Sequence, residues 1–518
     1  MPVPYWVHEK GMPGIPNGSD FAAVQASFQT WENIQAANVK FAFKGTTAAG
    51  NVAHDGLNLV TFTDTSAPLG SSTIAATFSY FRSENGQMVF DESDIAFNPA
   101  TDFSTSGENN KFDIQSVLTH EIGHLLGLDH SALVSSVMVP FGVPSQLDQR
   151  TLAYDDMAGI MEIYGSASGT AQIRGTIQAD GSPIFGAHVV AVNSGGTPIA
   201  STLSQRDGSY VLRFLPPDTY RVYAEALDGP VTRLNLGGGF NGFFSTIKTN
   251  FGTAYFGNVS GLPEAAKIDV GPNGVATADI RTFPASATGL RLTRPTFAMR
   301  IPRGRTVTVV SGGIDITNGV LLTGSDPGLQ FGTLTFGGRI NSTAPTSVSV
   351  QLTVMPSTPL GPKNLTVSRG TDASILSGAF VVTDSSPSGI SVSPAIGPID
   401  GGTVTTVKGT DFRSGAQVFF AGLAAADVRV VDSSTIEATT PANVPGSANL
   451  VVVNADGTWG IGSQVFTYAS QPPTISRVSP LDGPPQLGSS SKESASIRAR
   501  RISTWPLTVC LRGLSAQT

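Results

Sequence analysis

The sequence predicts a multidomain chain, an α+β domain followed by a series of all-β sandwiches. Three observations carry this reading. The chain has 518 residues, and one hydrophobic core rarely serves more than about 250–300. Apolar residues at three- and four-residue spacing lie in the first third of the chain, mixed with strand-like runs. Beyond it, short β-branched runs alternate with turns, in a chain holding 58 glycines, 34 prolines and only 13% charged residues.

The formal net charge of −7 argues against nucleic acid as a partner. A single cysteine, Cys510, rules out an internal disulfide, a scarcity compatible with a bacterial exported protein. No run of 18 apolar residues is found, so no membrane span is expected. The opening MPVPYWVHEKGMPG lacks a basic region followed by an apolar one, so no signal peptide is visible. The chain is therefore expected to begin inside a longer precursor.

Residues 2–8 (PVPYWVH) read as the remnant of a first strand. Ser19 or Asp20 is expected to cap a helix running to about Ala37, with Phe21, Val24, Phe28, Trp31 and Ile34 on one core-facing side. Residues 39–45, 57–64 and 73–81 are strand-like in β-branched and aromatic content, and 87–98 add a strand and an acidic turn.

A second helix is expected from about Asp113 to Leu126, and it carries the chemistry. His120 and His124 are four residues apart, so they stand one above the other on a helix face. Two imidazoles so placed can both reach one zinc ion, at roughly 2.0–2.1 Å per bond. Glu121 stands beside the first ligand, where a carboxylate can take a proton from a zinc-activated water. Gly127 can adopt a left-handed conformation, end the helix and turn the chain back, delivering His130 as a third ligand. Three protein ligands leave a position open for water, the mark of a catalytic rather than a structural zinc site. A lone HExxH also suits an amphipathic helix with surface histidines. Here the pattern HExxHxxGxxH is complete, holds three of the chain's six histidines and is followed by Met138.

The extended motif with a downstream methionine is the metzincin signature. Within that group HEIGHLLGLDHS with SSVMVP resembles the matrixins, the matrix-metalloproteinase-like branch, as does LAYDDMAGIMEIYG at 152–165. The resemblance covers about residues 1–166. It implies a twisted mixed sheet with three helices, one catalytic Zn2+ held by His120, His124 and His130, Glu121 as general base, and Met138 as the floor beneath the imidazoles. It also implies that residues 73–79 form an edge strand binding substrate backbone by strand addition. Asp155 and Asp156 would tie the last helix to the methionine turn and the chain start; as carboxylates at a helix start they also have a plain dipole explanation.

The sequence departs from the family at several points. No histidine lies between His54 and His120, so no structural zinc is expected. Asp91 and Asp94 are candidate Ca2+ ligands, with a solvated turn as the alternative. The family's Pro-x-Tyr wall reads Pro140-Phe141-Gly142, so the shape of the specificity pocket cannot be carried over.

Residues 166–172 read as a linker. The stretch 171–284 resembles the carboxypeptidase-regulatory-like, transthyretin-type β-sandwich through Gly186-Ala187-His188-Val189, Asp207-Gly208-Ser209-Tyr210 and Leu215-Pro216-Pro217 with Tyr220. His188 is read as structural. An Ig-like β domain is expected over 286–384. Residues 390–469 resemble an IPT/TIG domain through Pro394, Gly401-Gly402-Thr403, Gly409, Phe412 and Pro441. The stretch 472–518 starts like a second such repeat and then loses strand spacing, as a disordered or frameshifted tail would.

The expected function is that of a secreted or cell-surface zinc-dependent endopeptidase acting on protein or peptide substrates. Its β modules are expected to meet cell-surface or extracellular-matrix ligands. The rival is a surface adhesion or binding protein with a vestigial protease domain.

Overall fold

The computed structural model describes residues 2–165, 169–237, 242–337 and 346–470. The expected second repeat, Cys510 and the tail lie outside the described residues.

The first domain is built on a five-stranded mixed sheet in the order β2-β1-β3-β5-β4. Its strands are β1 (Val3–His8), β2 (Phe41–Thr47), β3 (Leu59–Thr61), β4 (Ala75–Glu84) and β5 (Gln87–Phe97). β1 pairs in parallel with β2 and β3, and β3 with β5, whereas β4 runs antiparallel to β5 at the edge. The parallel β1–β2 pair needs a crossover, which helix α1 (Ser19–Glu32) supplies. Between β4 and β5, Asn85 and Gly86 take φ of 52° and 79°, the left-handed pair of a two-residue hairpin turn.

α1 ends at the Asn33 cap, short of the expected Ala37, although Ile34 remains buried in the turn that follows. Its N-cap is Gly18, because Asp20 turns its carboxylate back to accept the Met12 N–H at 2.6 Å. The apolar face packs as the periodicity requires: Val24, Phe28 and Trp31 are buried, and Phe28 stacks on Tyr5 of β1 at a centroid distance of 3.7 Å. Trp31 also donates its indole N–H to the Thr119 carbonyl at 2.9 Å, fixing α1 against α2 (Ile114–Leu125). The third helix, α3, spans Tyr154–Tyr164.

The acidic residues expected in a turn lie within β5 instead. Glu92 and Asp94 are buried there and accept main-chain N–H groups of the preceding loop: Asp55 and Gly56 for Glu92, Ala53 and Leu59 for Asp94.

The rest of the described chain is β structure in pairs of sheets. In the second domain Ala171–Ala179 pairs with Ser209–Leu215, and His188–Val192 lies between Pro198–Leu203 and Asp218–Glu225. The apolar sides of the two sheets meet in one core, with Ile173, Ile177 and Leu212 from one, Val189, Ala191 and Val222 from the other. A third domain pairs Thr306–Ile314 with Thr346–Val354, and Gly361–Arg369 with Asp372–Thr383. In the fourth, Val404–Thr410 pairs with Thr435–Thr439, and Gly446–Val453 with Trp459–Ala469.

These domains contact one another; residues 166–168 of the expected linker lie outside the described residues. The described residues 2–470 fall within one compact unit. The Tyr154 hydroxyl of α3 donates to the Phe214 carbonyl at 2.7 Å, and the Val134 N–H to the Ser377 carbonyl at 2.9 Å. Asp148 takes both the Trp459 indole N–H at 2.8 Å and the Arg300 guanidinium at 2.6 Å.

Candidate metal centre

α2 begins where Asp113, at its N-cap, accepts the Ser116 N–H at 2.9 Å, satisfying one of the helix's unpaired donors. Arg150 holds that carboxylate from outside at 2.8 Å. At the other end Gly127 has φ 96°, a conformation that costs a residue with a Cβ but not glycine. The Leu128 N–H then bonds back to the Gly123 carbonyl at 2.9 Å, closing the turn in the manner of a helix-terminating motif. The reversal carries His130 to the face where His120 and His124 already stand.

The three imidazoles converge, with one ligand atom from each within 4.8 Å of the others. Every Nδ1 meets a main-chain carbonyl: His120 meets Val137 at 2.8 Å, His124 meets Leu128 at 2.8 Å, and His130 meets Asn235. A carbonyl only accepts, so each Nδ1 carries the proton and each Nε2 is left with its lone pair. The Nε2 atoms of His120 and His124 face each other at 3.1 Å. Two lone pairs at that separation repel unless a cation lies between them. Nitrogens bound tetrahedrally to one zinc would be about 3.3 Å apart, so the donor set fits such an ion. Burial, reinforced by His124 and His130, holds His120 well below its ordinary pKa, and burial also lowers His130; both favour the neutral, ligating form.

Glu121 is 5% exposed. Burial raises its carboxyl above the ordinary value, while His124 and a hydrogen bond from Thr77 pull it back. That bond, from Thr77 Oγ1 of β4 to Glu121 Oε2, is 2.7 Å long, and the same hydroxyl lies 2.9 Å from the Glu121 carbonyl.

Met138 is buried against α2 between the two histidine-bearing turns. A Cβ at Gly123 would run into its sulfur, with Trp31 just behind. The Ser131 N–H bonds the Met138 carbonyl at 2.9 Å, joining the third histidine's segment to this turn. Asp156 fixes the turn further, accepting the Val137 N–H at 2.9 Å and the Met138 N–H at 3.1 Å. Burial pushes its carboxyl up to about 6 against those hydrogen bonds. Asp155 goes elsewhere: it accepts the Ser131 hydroxyl at 2.7 Å and the Ser201 N–H of the second domain at 2.6 Å.

Asp91 and Asp94 are not brought together as cation ligands. Asp91 pairs with Arg82 and with His54, while Asp94 is taken by the two main-chain N–H groups named above. His188 lies in its strand with Nδ1 2.9 Å from Glu225.

A cleft of ≈ 720 Å³ opens over the three histidines and Glu121. Edge strand β4 borders it on one side, Pro140–Gly142 and Leu234–Leu236 on others. The contribution of Leu234–Leu236, more than a hundred residues from the motif, has no signal in the sequence. Nor do those of Thr77 and Ser201, each of which acts through a contact that only folding creates.

Comparison with known proteins agrees with this geometry. The family model described as matrixin matches residues 11–165, the carboxypeptidase regulatory-like domain 172–235 and the IPT/TIG domain 387–468. Metalloendoproteinase 1 of Glycine max is 31% identical over 142 residues, 27% of this chain and 41% of its own length. Metalloendoproteinase 1-MMP of Arabidopsis thaliana is 31% identical over 145 residues, 28% of this chain and 34% of its own. Matrilysin of Rattus norvegicus is 42% identical over 64 residues, 12% of this chain and 24% of its own. The chain thus spans less than half the length of these relatives. The first domain of this chain thus matches the matrixin family, and matches to a carboxypeptidase regulatory-like domain and an IPT/TIG domain follow it.

Proposed function

We propose that this chain is a zinc-dependent endopeptidase that cleaves extended peptide segments. One observation carries the reading: three Nε2 lone pairs, each aimed by a carbonyl behind it, converge beside a buried carboxylate at the floor of an open cleft. His120, His124 and His130 would hold the metal, with Met138 packed beneath. Zinc there supplies a Lewis acid that polarises a carbonyl and acidifies water.

The protein's own groups do the rest. Glu121, in its ionised form, takes a proton from the attacking water as the oxygen adds to the scissile carbonyl carbon. It then delivers that proton to the amine nitrogen as the C–N bond breaks. Thr77 holds the carboxylate in place through its 2.7 Å bond. β4 pairs with β5 alone among the described strands, so its other edge is open to an extended peptide. Its pairing begins at Ala75, within the stretch 73–79.

We divide the chain into a protease domain over 1–166 and β domains over 171–284, 286–384 and 390–469, and read the β domains as modules of a secreted or cell-surface protein. No helix among the described residues is long and apolar enough to cross a membrane. The test is metal analysis and peptide hydrolysis on the full-length protein, with and without a zinc chelator. One zinc per chain and chelator-sensitive cleavage are expected. Bound zinc without cleavage of any peptide would leave a vestigial enzyme.

A further inference from the structure

The segment Thr232–Gly237 belongs to the β domain after the protease, yet it lies along the cleft. Three contacts seat it. The Asn235 carbonyl accepts the Nδ1–H of His130. The Gly237 N–H donates to Asp129 Oδ2 at 2.7 Å. Leu236 packs against the small apolar cluster of Phe185, Leu227 and Ile247. Within the segment, the Thr232 N–H donates to Asn235 Oδ1 at 2.9 Å, and Thr232 Oγ1 accepts the Leu234 N–H at 3.3 Å. Gly237 has φ 68°, and the Phe244 ring occupies the place of its missing Cβ, so this turn requires glycine.

The turn pushes Leu234 outward. It is 84% exposed and borders the same cleft as His120, Glu121 and Ala76. An exposed leucine is unremarkable by itself; its place beside a candidate reaction centre is what matters. The segment touches the outer nitrogen of His130 and leaves Nε2 facing the cavity, and the cleft still measures ≈ 720 Å³. It is a wall, not a plug.

We infer that Thr232–Gly237 is a specificity wall supplied to the protease by its neighbouring β domain. Leu234 receives an apolar side chain of the substrate on the His130 side of the scissile bond, and Asn235 is a positioning residue that fixes His130. The inference rests on the endopeptidase reading above. The occupant is an extended peptide because the open edge of β4 borders the same cleft. A peptide paired to that edge points alternate side chains away from the strand. The side chain is apolar because Leu234 offers no side-chain donor or acceptor, and the Thr232 hydroxyl and Asn235 Oδ1 are spent on closing the turn.

The test uses the full-length protein, a mixed peptide library read by mass spectrometry, and chelator competition for zinc. Wild type is expected to prefer an apolar residue at one position flanking the cut. Leu234→Asp is expected to keep its zinc and to lose about 10–100-fold in kcat/KM for those peptides, with little change for peptides polar at that position. Asn235→Ala, which removes the side-chain acceptor closing the turn, is expected to weaken zinc binding about 10-fold. Asn235→Asp, which keeps an acceptor oxygen there, should restore it. An unchanged cleavage profile in Leu234→Asp, with unchanged zinc affinity in Asn235→Ala, overturns the inference while the endopeptidase reading stands. A wild-type protein that binds no zinc and cleaves nothing overturns both.

Discussion

The carboxylate of Asp155, in the first turn of the last helix of the protease domain, accepts the main-chain N–H of Ser201 in the neighbouring β domain at 2.6 Å. The same carboxylate holds Ser131, the residue after the third histidine. One half-buried side chain thus joins the metal-site loop to a second domain. Asp155→Ala leaves both donors without an acceptor. It should cost about 1–3 kcal/mol of stability and lower the midpoint of denaturant unfolding. An unchanged midpoint would show that the contact does not couple the domains.

Thr77 tests how Glu121 is held. Thr77→Val keeps the shape and removes the hydroxyl. A hydrogen bond to a charged group is worth about 1.5–3 kcal/mol, so kcat should fall by about 10-fold or more with KM little changed. The bond lowers the Glu121 pKa. Its loss should therefore move the acid limb of the pH–rate profile to higher pH. An unmoved limb with normal kcat would remove Thr77 from the mechanism.

Gly123 leaves the space that the Met138 sulfur fills. Gly123→Ala gains helix propensity but overpacks this point, at a cost of about 1–3 kcal/mol. Because His120 and His124 flank Gly123, weaker zinc binding should accompany the lower melting temperature. A variant as stable as wild type would mean that Met138 relocates freely.

Asp94 supplies a pH test of the sheet. Burial pushes its carboxyl up to about 6 in the folded chain, against about 3.9 when unfolded. The folded state therefore holds this proton more tightly. The stabilisation is fully present below about pH 4 and is lost as pH rises through 6. Relative to Asp94→Asn, wild type should gain at most about 3 kcal/mol between pH 7 and pH 4. Parallel stability curves for the two proteins would contradict this.

Much of the metal site was legible because it is local. His120, His124, Gly127 and His130 lie within eleven residues, and helix geometry with one left-handed glycine is enough to converge them. The helix start at Asp113 was equally readable, since its side chain caps a donor three residues on. Elsewhere tertiary contacts overrode local signals. Asp20 would cap α1 by composition, but Met12 offers its N–H first. The acidic run in β5 reads as a solvated turn until the loop 53–59 is folded onto it. The contacts of Tyr154, Asp155 and Asp148 across the domain boundary likewise depend on partners 46 to 311 positions away. Asn235 belongs with these: nothing about an asparagine in a glycine-rich stretch announces that its carbonyl will orient a histidine 105 residues earlier.

In the proposed mechanism the convergent histidines hold zinc and Glu121 moves the proton. The most direct test is zinc content and peptide hydrolysis of Glu121→Ala beside wild type. One zinc per chain is expected in both proteins, with near-complete loss of hydrolysis in the variant. Hydrolysis retained by Glu121→Ala would contradict it.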